Sequence, residues 1–496
     1  LTEAQIYRKE LKGAGLEESE IEETVAIFKK QQKIEYLYQT QRAYIHSLMT
    51  LINCEDDGTI KAKDIVDYLH RPEYIYLGPD ENMHNVMLDW IADYSRWVGY
   101  KVGAAFISSK PTAGINHKEY GVTSLTVNVC MEEVLLYMGI DPKKDPFTIK
   151  ISGGPDGDVA GNEILNLYKK YPNTARLLAI TDVSGTIFDP QGLDLSILAD
   201  LFKEAKPLAS YPPKRLNDGG FLLDLQTKKE QSAFAQKTLC WKKEKGKLIE
   251  KWLSGSDMNH LYRHNLHQVV TDIFIPAGGR PRTLNSENYQ DYLLKGKPTS
   301  RAIVEGANLY LTPAARRELE KLGVIIIKDS TANKGGVICS SLEILSGLTL
   351  TEAEFIKEKK GLMPQILAII EEKAREEAKL LLRSRDESGE FLTDLSDTVS
   401  ERINTYTYEL LAYLETLTLS KAKNDPLIRA LLNFCPPLIA EKYQERVIEN
   451  IPDIHKKAII ASFLASRLIN RRGLKWSPSI VDVLPLIASD PTITDK

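Results

Sequence analysis

Phe147-Thr148-Ile149-Lys150-Ile151-Ser152-Gly153-Gly154-Pro155-Asp156-Gly157-Asp158-Val159-Ala160-Gly161-Asn162-Glu163 is the stretch on which the fold turns. Its first six residues read as a buried strand, and residues 164–170 that follow it read as a helix. A glycine-rich turn between strand and helix lets backbone N–H groups approach a pyrophosphate, and the helix N-terminus adds partial positive charge. Gly154, Gly157 and Ala160 give G-x-x-G-x-x-A, one residue longer than the common G-x-G-x-x-A, and an ordinary glycine-rich loop would share that pattern. The next apolar run, residues 176–181, ends at Asp182. A carboxylate at the end of the second strand is placed to accept a hydrogen bond from the ribose 2′-hydroxyl of NAD, and it repels the extra phosphate of NADP. An aspartate there also serves as a turn or cap residue. The expectation is a dinucleotide-binding chain with NAD as its cofactor.

Working outward, residues 272–275, 302–304 and 324–327 are further short apolar runs separated by helical segments. That alternation predicts an α/β fold with a doubly wound, mostly parallel sheet over about 145–345. Residues 205–265 carry too much Lys, Glu and Gly for a plain crossover and read as an insertion in that domain. From 346 to 496 the chain turns helical, with Ile366, Ile370, Ala374 and Leu381 on one apolar stripe. Residues 1–72 also read as helical. One helix is expected over 17–33, where Ile21, Val25 and Phe28 share a face, and another over 36–52. Residues 73–144 hold two strand candidates, 73–77 and 104–107, with a helix between them.

With 496 residues, 43% hydrophobic and 27% charged, the chain can bury a large core in several domains. A net charge of −4 provides no overall field to recruit nucleic acid or an anionic membrane. Cys54, Cys130, Cys240, Cys339 and Cys435 are scattered and form no C-x-x-C pair, which suits a reducing cytoplasmic setting and argues against a zinc ribbon. The apolar stretch at 458–470 is interrupted by Ser462, Ser466 and Arg467 and reads as a buried amphipathic helix, not a membrane span. His260, His264 and His267 have helical spacing, but surface or packing roles are expected and no metal site. His117 reads as a loop polar group, and Trp90, Tyr94 and Trp97 as core.

Polar and glycine residues at strand ends are where open α/β sheets bind ligands. The segments YIYLGPDENM, SSKPTAGINHKEYGVTS, ISGGPDGDVAGNEI, ITDVSGTIFDPQGLD, DIFIPAGGRP, IVEGANLYLTP and DSTANKGGVICSSLEIL occur in this order between about 73 and 345. Together they resemble the glutamate dehydrogenase family, specifically its large NAD-specific branch, and the tail from LNFCPP to NRRG resembles the helical C-terminal part of those enzymes. The resemblance implies a partial substrate domain over 73–144, a Rossmann-like cofactor domain over 145–345 and a helical C-terminal region. It implies oxidative deamination of L-glutamate to 2-oxoglutarate and ammonium, with hydride transfer to NAD, in a homo-oligomer. By position, Asp80 matches the cleft aspartate that shuttles protons, Ser340 the serine on the substrate's side-chain carboxylate, and Lys110 the lysine of a T-G-K segment. Thr123 matches a cofactor-side threonine, Asn308 the asparagine of the E-G-A-N turn, Gly154, Gly157 and Ala160 the pyrophosphate turn, and Asp182 the ribose acid. Asp80 also follows a strand, where an Asx-turn would use the same residue.

One part of the family pattern is missing. Members carry three active-site lysines upstream of the aspartate, the last in a G-G-x-K-G-G type segment, and nothing between Leu1 and Asp80 matches. Either that part was lost or it lies in a longer precursor, and the chain alone is expected to lack deaminase activity. Dehydrogenases of leucine, valine or phenylalanine share the fold, and a non-catalytic NAD-binding subunit or sensor is the alternative from a different class.

Overall fold

The computed structural model describes residues 2–53, 75–79, 83–232, 235–476, 479, 482–483 and 485. The chain forms two compact units, Leu1–Ile115 and Asn116–Lys496. In the first, α1 (Glu3–Gly13) and α2 (Glu18–Ile52) form a helical hairpin around buried Ala4, Ile21 and Val25, with Tyr7, Leu11, Leu16 and Phe28 packed against them. The two helices expected over 17–33 and 36–52 are therefore one. No glycine or proline interrupts Glu18–Ile52, so nothing stops propagation. Helix α3 (Asn85–Trp97) buries Met87, Leu88, Ile91, Ala92 and Ser95. Its other face carries Trp90, Tyr94 and Trp97 in a stack, with Trp97 80% exposed. These aromatics are not core, because their helical spacing fits either face equally well. The strand expected at 104–107 is also absent. Residues Gly103–Phe106 form a 3-10 turn, since Gly99 and Gly103 take positive φ and break the extension, and only Ile107 pairs, with Leu77.

The second unit is built on a nine-stranded sheet. Its strands are β1 (Phe147–Ser152), β2 (Ala175–Asp182), β3 (Gly185–Phe188), β4 (Phe221–Ser232), β5 (Ala235–Glu244), β6 (Lys247–Leu253), β7 (Thr271–Pro276), β10 (Ser300–Val304) and β11 (Ile325–Ile327). A separate pair, β8 (Leu293–Leu294) and β9 (Lys297–Pro298), lies outside it. The order is β11-β10-β7-β1-β2-β3-β4-β5-β6. The first five are parallel and the rest antiparallel. Consecutive residues are buried along β1, β7 and β11, so both faces of this part are covered. The chain leaves β1 toward β2 on one side and returns through β7 on the other. That reversal is the topological switch point of a doubly wound fold.

Within the expected insertion at 205–265, strands β4 to β6 extend the parallel part as an antiparallel meander, with Leu222, Leu223, Leu239 and Cys240 buried. Around the sheet run α4 (His117–Tyr120), α5 (Val122–Tyr137), α6 (Asp158–Lys170), α7 (Leu195–Lys203), α8 (Gly255–Gln268), α9 (Pro313–Lys321), α10 (Asp329–Ala332) and α11 (Gly335–Thr349). The helical C-terminal part is α12 (Glu352–Ser388), α13 (Leu392–Glu415), α14 (Pro426–Phe434), α15 (Pro437–Lys442), α16 (Gln444–Glu449) and α17 (Asp453–Arg472). Ile366, Ile370, Ala374 and Leu381 are buried along α12 as their spacing predicted. Among the described residues no helix is long and apolar enough to cross a membrane.

Two buried polar groups hold the sheet. Lys150, in the middle of β1, is fully buried and donates from Nζ to the Val269 carbonyl at 2.8 Å and to Thr299 Oγ1 at 2.9 Å, over the Tyr292 ring at 4.4 Å. At the end of β10, Glu305 accepts a bidentate pair from Arg316 on α9 at 2.7 and 2.9 Å. Arg316 also meets Asp329 on α10 at 3.1 Å, and Asp329 accepts from the Leu309 N–H at 2.8 Å. Burial pushes Glu305 up to about 7 against the pull of Arg316.

Arg316→Met leaves two buried carboxylates without their cation, and a loss of about 3–5 kcal/mol is expected in urea unfolding. Full stability in that variant would show the triad to be energetically idle. Lys150→Ala is expected to cost about 2–5 kcal/mol, and Lys150→Met less, because the longer side chain refills the space. Burial holds the Lys150 amine well below its ordinary 10.5. The unfolded chain keeps that proton to higher pH than the folded chain does, so this group makes stability rise with pH below 10.5. A flatter stability-against-pH curve for Lys150→Met checks the sign.

Candidate cofactor and substrate site

The glycine turn sits at the C-terminal end of β1, beside the switch point. Gly153 takes φ +113, and a Cβ there would lie 3.0 Å from the Ala160 Cβ and 3.1 Å from the Gly278 nitrogen. Only glycine fits. Residues 154–157 close a turn through the Gly157 N–H on the Gly154 carbonyl at 3.0 Å, and Gly157 is the N-cap of α6. The unpaired N–H groups of the first helical turn therefore open beside a stretch of bare main chain, the arrangement that takes an anion. A Cβ on Gly154 would lie 2.5 Å from Asp182 Oδ2 and 2.6 Å from Asp156 Oδ1, so this small space is also the ground between two carboxylates.

Asp182 is buried at the end of β2. Its Oδ1 accepts from the Ser184 N–H at 2.7 Å, the Ser184 hydroxyl at 2.6 Å and the Gly185 N–H at 3.0 Å, and its Oδ2 accepts from the Leu208 N–H at 2.9 Å. The turn role considered for it is thus present, while Oδ2 faces the glycine turn. Burial raises its pKa, opposed by the Ser184 and Leu208 hydrogen bonds.

The exits of β7 and β10 converge on the same place. The Ala307 N–H donates to the Pro276 carbonyl at 2.7 Å, and a Cβ on Gly306 would lie 2.9 Å from Val159 at the start of α6. Asn308, two residues on, is exposed and accepts from Asn333 Nδ2 at 2.6 Å.

A second cluster forms where α4, α5 and α11 meet. Ser340 Oγ lies 3.4 Å from His117 Nε2. Gly336 separates the two helices, since a Cβ there would lie 3.4 Å from His117 Nδ1 and 3.5 Å from Thr123 Oγ1. Thr123 and Ser340 are therefore brought together, with His117 between them. His117 is not merely a loop polar group. Burial pushes its imidazole down to about 4, so at neutral pH it is an uncharged donor and acceptor. Its position in the H-K-E-Y-G-V-T-S segment, six residues before Thr123, was the signal available for it.

Lys110 lies in the first unit, buried, with Nζ on the Ile107 carbonyl at 2.7 Å. Asp80 lies outside the described residues. The three histidines of α8 serve packing and surface roles. His267 is buried 3.4 Å from the Tyr310 hydroxyl and pushed down to about 3, and His264 lies 4.0 Å from the Asp291 carboxylate.

Residues 113–388 match the glutamate/leucine/phenylalanine/valine dehydrogenase family. The chain is 31% identical over 458 residues to a probable NAD-specific glutamate dehydrogenase of Schizosaccharomyces pombe, which covers 88% of this chain and 38% of that protein. An NAD-specific glutamate dehydrogenase of Neurospora crassa is 31% identical over 448 residues, 87% of this chain and 40% of its own length. The chain thus spans about two fifths of the length of these relatives. Among solved structures, the hetero-hexameric glutamate dehydrogenase from Thermus thermophilus gives a TM-score of 0.44 at 18% identity, over 72% of this chain and 65% of that one. More than half of the residues fall within the family match, and the chain belongs to the glutamate/leucine/phenylalanine/valine dehydrogenase family.

Proposed function

We propose that this chain binds NAD and supplies the cofactor site, with part of the substrate site, of a dehydrogenase that oxidatively deaminates L-glutamate to 2-oxoglutarate and ammonium. The observation that carries the reading is the glycine-rich turn at Gly153–Gly157, at the switch point of the sheet, with Asp182 beside it. Gly154, Gly157 and Ala160 would hold the pyrophosphate against the first turn of α6, and Asp182 Oδ2 would accept from the adenosine ribose. Bound NAD supplies the hydride acceptor. Asn308 and Thr123 lie on the turns nearest the far end of such a dinucleotide and bind on that side.

Ser340 gives a hydroxyl to the substrate's side-chain carboxylate, and the neutral His117 ring holds that hydroxyl in direction. Lys110 adds a cation for a carboxylate, and Asp80 moves protons to and from the substrate nitrogen. The named relatives, both NAD-specific glutamate dehydrogenases, favour NAD and glutamate over NADP and the branched or aromatic amino acids. Buried Cys130, Cys240, Cys339 and Cys435, none of them in a disulfide among the described residues, fit a reducing cytoplasm, and homo-oligomeric assembly completes the reading.

Titrating the chain with NADH, read by nucleotide fluorescence, tests this. Binding is expected, and Gly154→Ala should weaken it at least about tenfold by forcing a methyl group between the two carboxylates. Gly255→Ala, where a Cβ meets nothing within 4 Å, should leave it unchanged. With NADH bound, 2-oxoglutarate but not the keto acids of leucine, valine or phenylalanine should shift the fluorescence. No NADH binding by the wild-type chain would remove the assignment, and a response to the other keto acids alone would redirect the substrate.

A further inference from the structure

We propose that Asp156 is a cofactor-selecting residue. With Asp182 it forms a two-carboxylate site for an adenosine ribose whose 2′- and 3′-hydroxyls are both free. This rests on the dinucleotide reading above and adds a second, loop-borne acid to the strand-end acid.

The geometry starts from Gly154. Asp156 Oδ1 and Asp182 Oδ2 both lie within 2.6 Å of the point where a Cβ on Gly154 would stand, so the two side chains face each other across the glycine turn. They reach it from different directions, Asp182 from the end of β2 and Asp156 from the turn itself.

Both are held. Asp182 is fixed by its four hydrogen bonds from Ser184, Gly185 and Leu208. The Asp156 main chain is fixed by the 154–157 turn and by Lys118, whose Nζ donates to the Asp156 carbonyl at 2.8 Å. The two carboxylates differ in occupancy. Among the described residues, none donates a hydrogen bond to the half-buried Asp156 carboxylate. An acid aimed at a cofactor turn without a donor, facing a second acid, is an arrangement that folding alone does not favour, because like charges in a partly dry space repel.

A vicinal diol resolves it. Each hydroxyl donates to one carboxylate, and charge-assisted O–H···O⁻ bonds are strong. A 2′-phosphate does the reverse, since it has only acceptors to offer at neutral pH and brings a third negative charge into the gap. Lys118 is exposed and already committed to the loop carbonyl, so it offsets the repulsion only in part. Selection against the phosphorylated cofactor is thereby shared between two acids, one of them on the loop that also cradles the pyrophosphate.

The test is the NADPH-to-NADH affinity ratio of the chain, measured by fluorescence titration for wild type, Asp156→Asn and Asp156→Ser. Asparagine keeps the shape and one acceptor but removes the charge. The ratio is expected to shift toward NADPH by about tenfold, while NADH binding itself weakens with the loss of the charge-assisted bond. Serine should shift it in the same direction, and guards against a folding defect peculiar to one variant. Higher salt should narrow the wild-type ratio, as for any charge-based discrimination. An unchanged ratio in both variants, with NADH still bound, overturns the role of Asp156 and leaves the dinucleotide reading standing. Failure of the wild-type chain to bind NADH overturns both.

Discussion

Three strand exits meet with almost no room for side chains, and the site depends on that crowding. The end of β1 touches the loop after β7 at Gly153 and Gly278, and the turn after β10 touches the start of α6 at Gly306 and Val159. Backbone hydrogen bonds fasten the contact, from the Ala277 N–H to the Ser152 carbonyl at 2.8 Å and from the Ala307 N–H to the Pro276 carbonyl at 2.7 Å. Adding a methyl group at Gly153 or Gly306 would push main chain against main chain, or main chain against a helix. The approach leaves the first-turn donors of α6, which have no side-chain cap, beside glycine main chain, an arrangement whose partial positive charge suits an anion.

A second close approach couples this turn to the serine cluster. Gly121 takes φ +60, ends α4 and begins α5, and a Cβ there would lie 2.8 Å from Asn162 Oδ1. Asn162 sits on α6 and donates to the Lys118 carbonyl at 2.9 Å. The short helix carrying His117 is therefore registered on the helix that carries the glycine turn, and Thr123 follows one turn later. The placement of His117, and with it Ser340, relative to the N-terminal end of α6 is set by Gly121 and Asn162, not by long flexible side chains. That suits a site in which two ligands must be held in fixed relation.

Much of this was legible in the chain. The parallel strands were readable because strands buried on both faces are continuous apolar runs, as at 147–152 and 272–275. The glycine turn was readable as a strand-to-helix turn because it stands between an apolar run and a helical one, and Asp182 because it closes the next apolar run. What escaped was whatever depends on tertiary partners. The meander β4 to β6 buries only short stretches, such as Leu222–Leu223 and Leu239–Cys240, and its many Lys residues resembled a solvated insertion. Trp90, Tyr94 and Trp97 have a spacing that says they share a face but not which face is covered. His117 read as a loop polar group because a lone histidine in a polar segment carries no pattern of its own. Its importance arises from Ser340, more than two hundred residues away in sequence.

The helical C-terminal part belongs to the same compact unit as the sheet, and its ion pairs show why. Arg375 on α12 reaches Glu132 at 2.7 Å and Glu133 at 2.5 Å, both on α5, and Glu371 at 3.0 Å on its own helix. Lys334, at the start of α11, meets Glu377 of α12 at 2.5 Å, and Lys328 before α10 meets Asp397 of α13. Taken singly, pairs as open as Arg317–Asp394 contribute little to stability. Their placement is what counts. Helix α5 carries Thr123 in its first turn and Glu132 and Glu133 in its last, while α11 carries Ser340. Both helices are thus gripped by α12, α5 through Glu132 and Glu133 and α11 through Lys334 at its start. A long helix with a buried stripe and a half-buried arginine fork can act as a rigid back wall. With the packing carried by α12, Ser340, Thr123 and His117 can be polar without costing the fold its core.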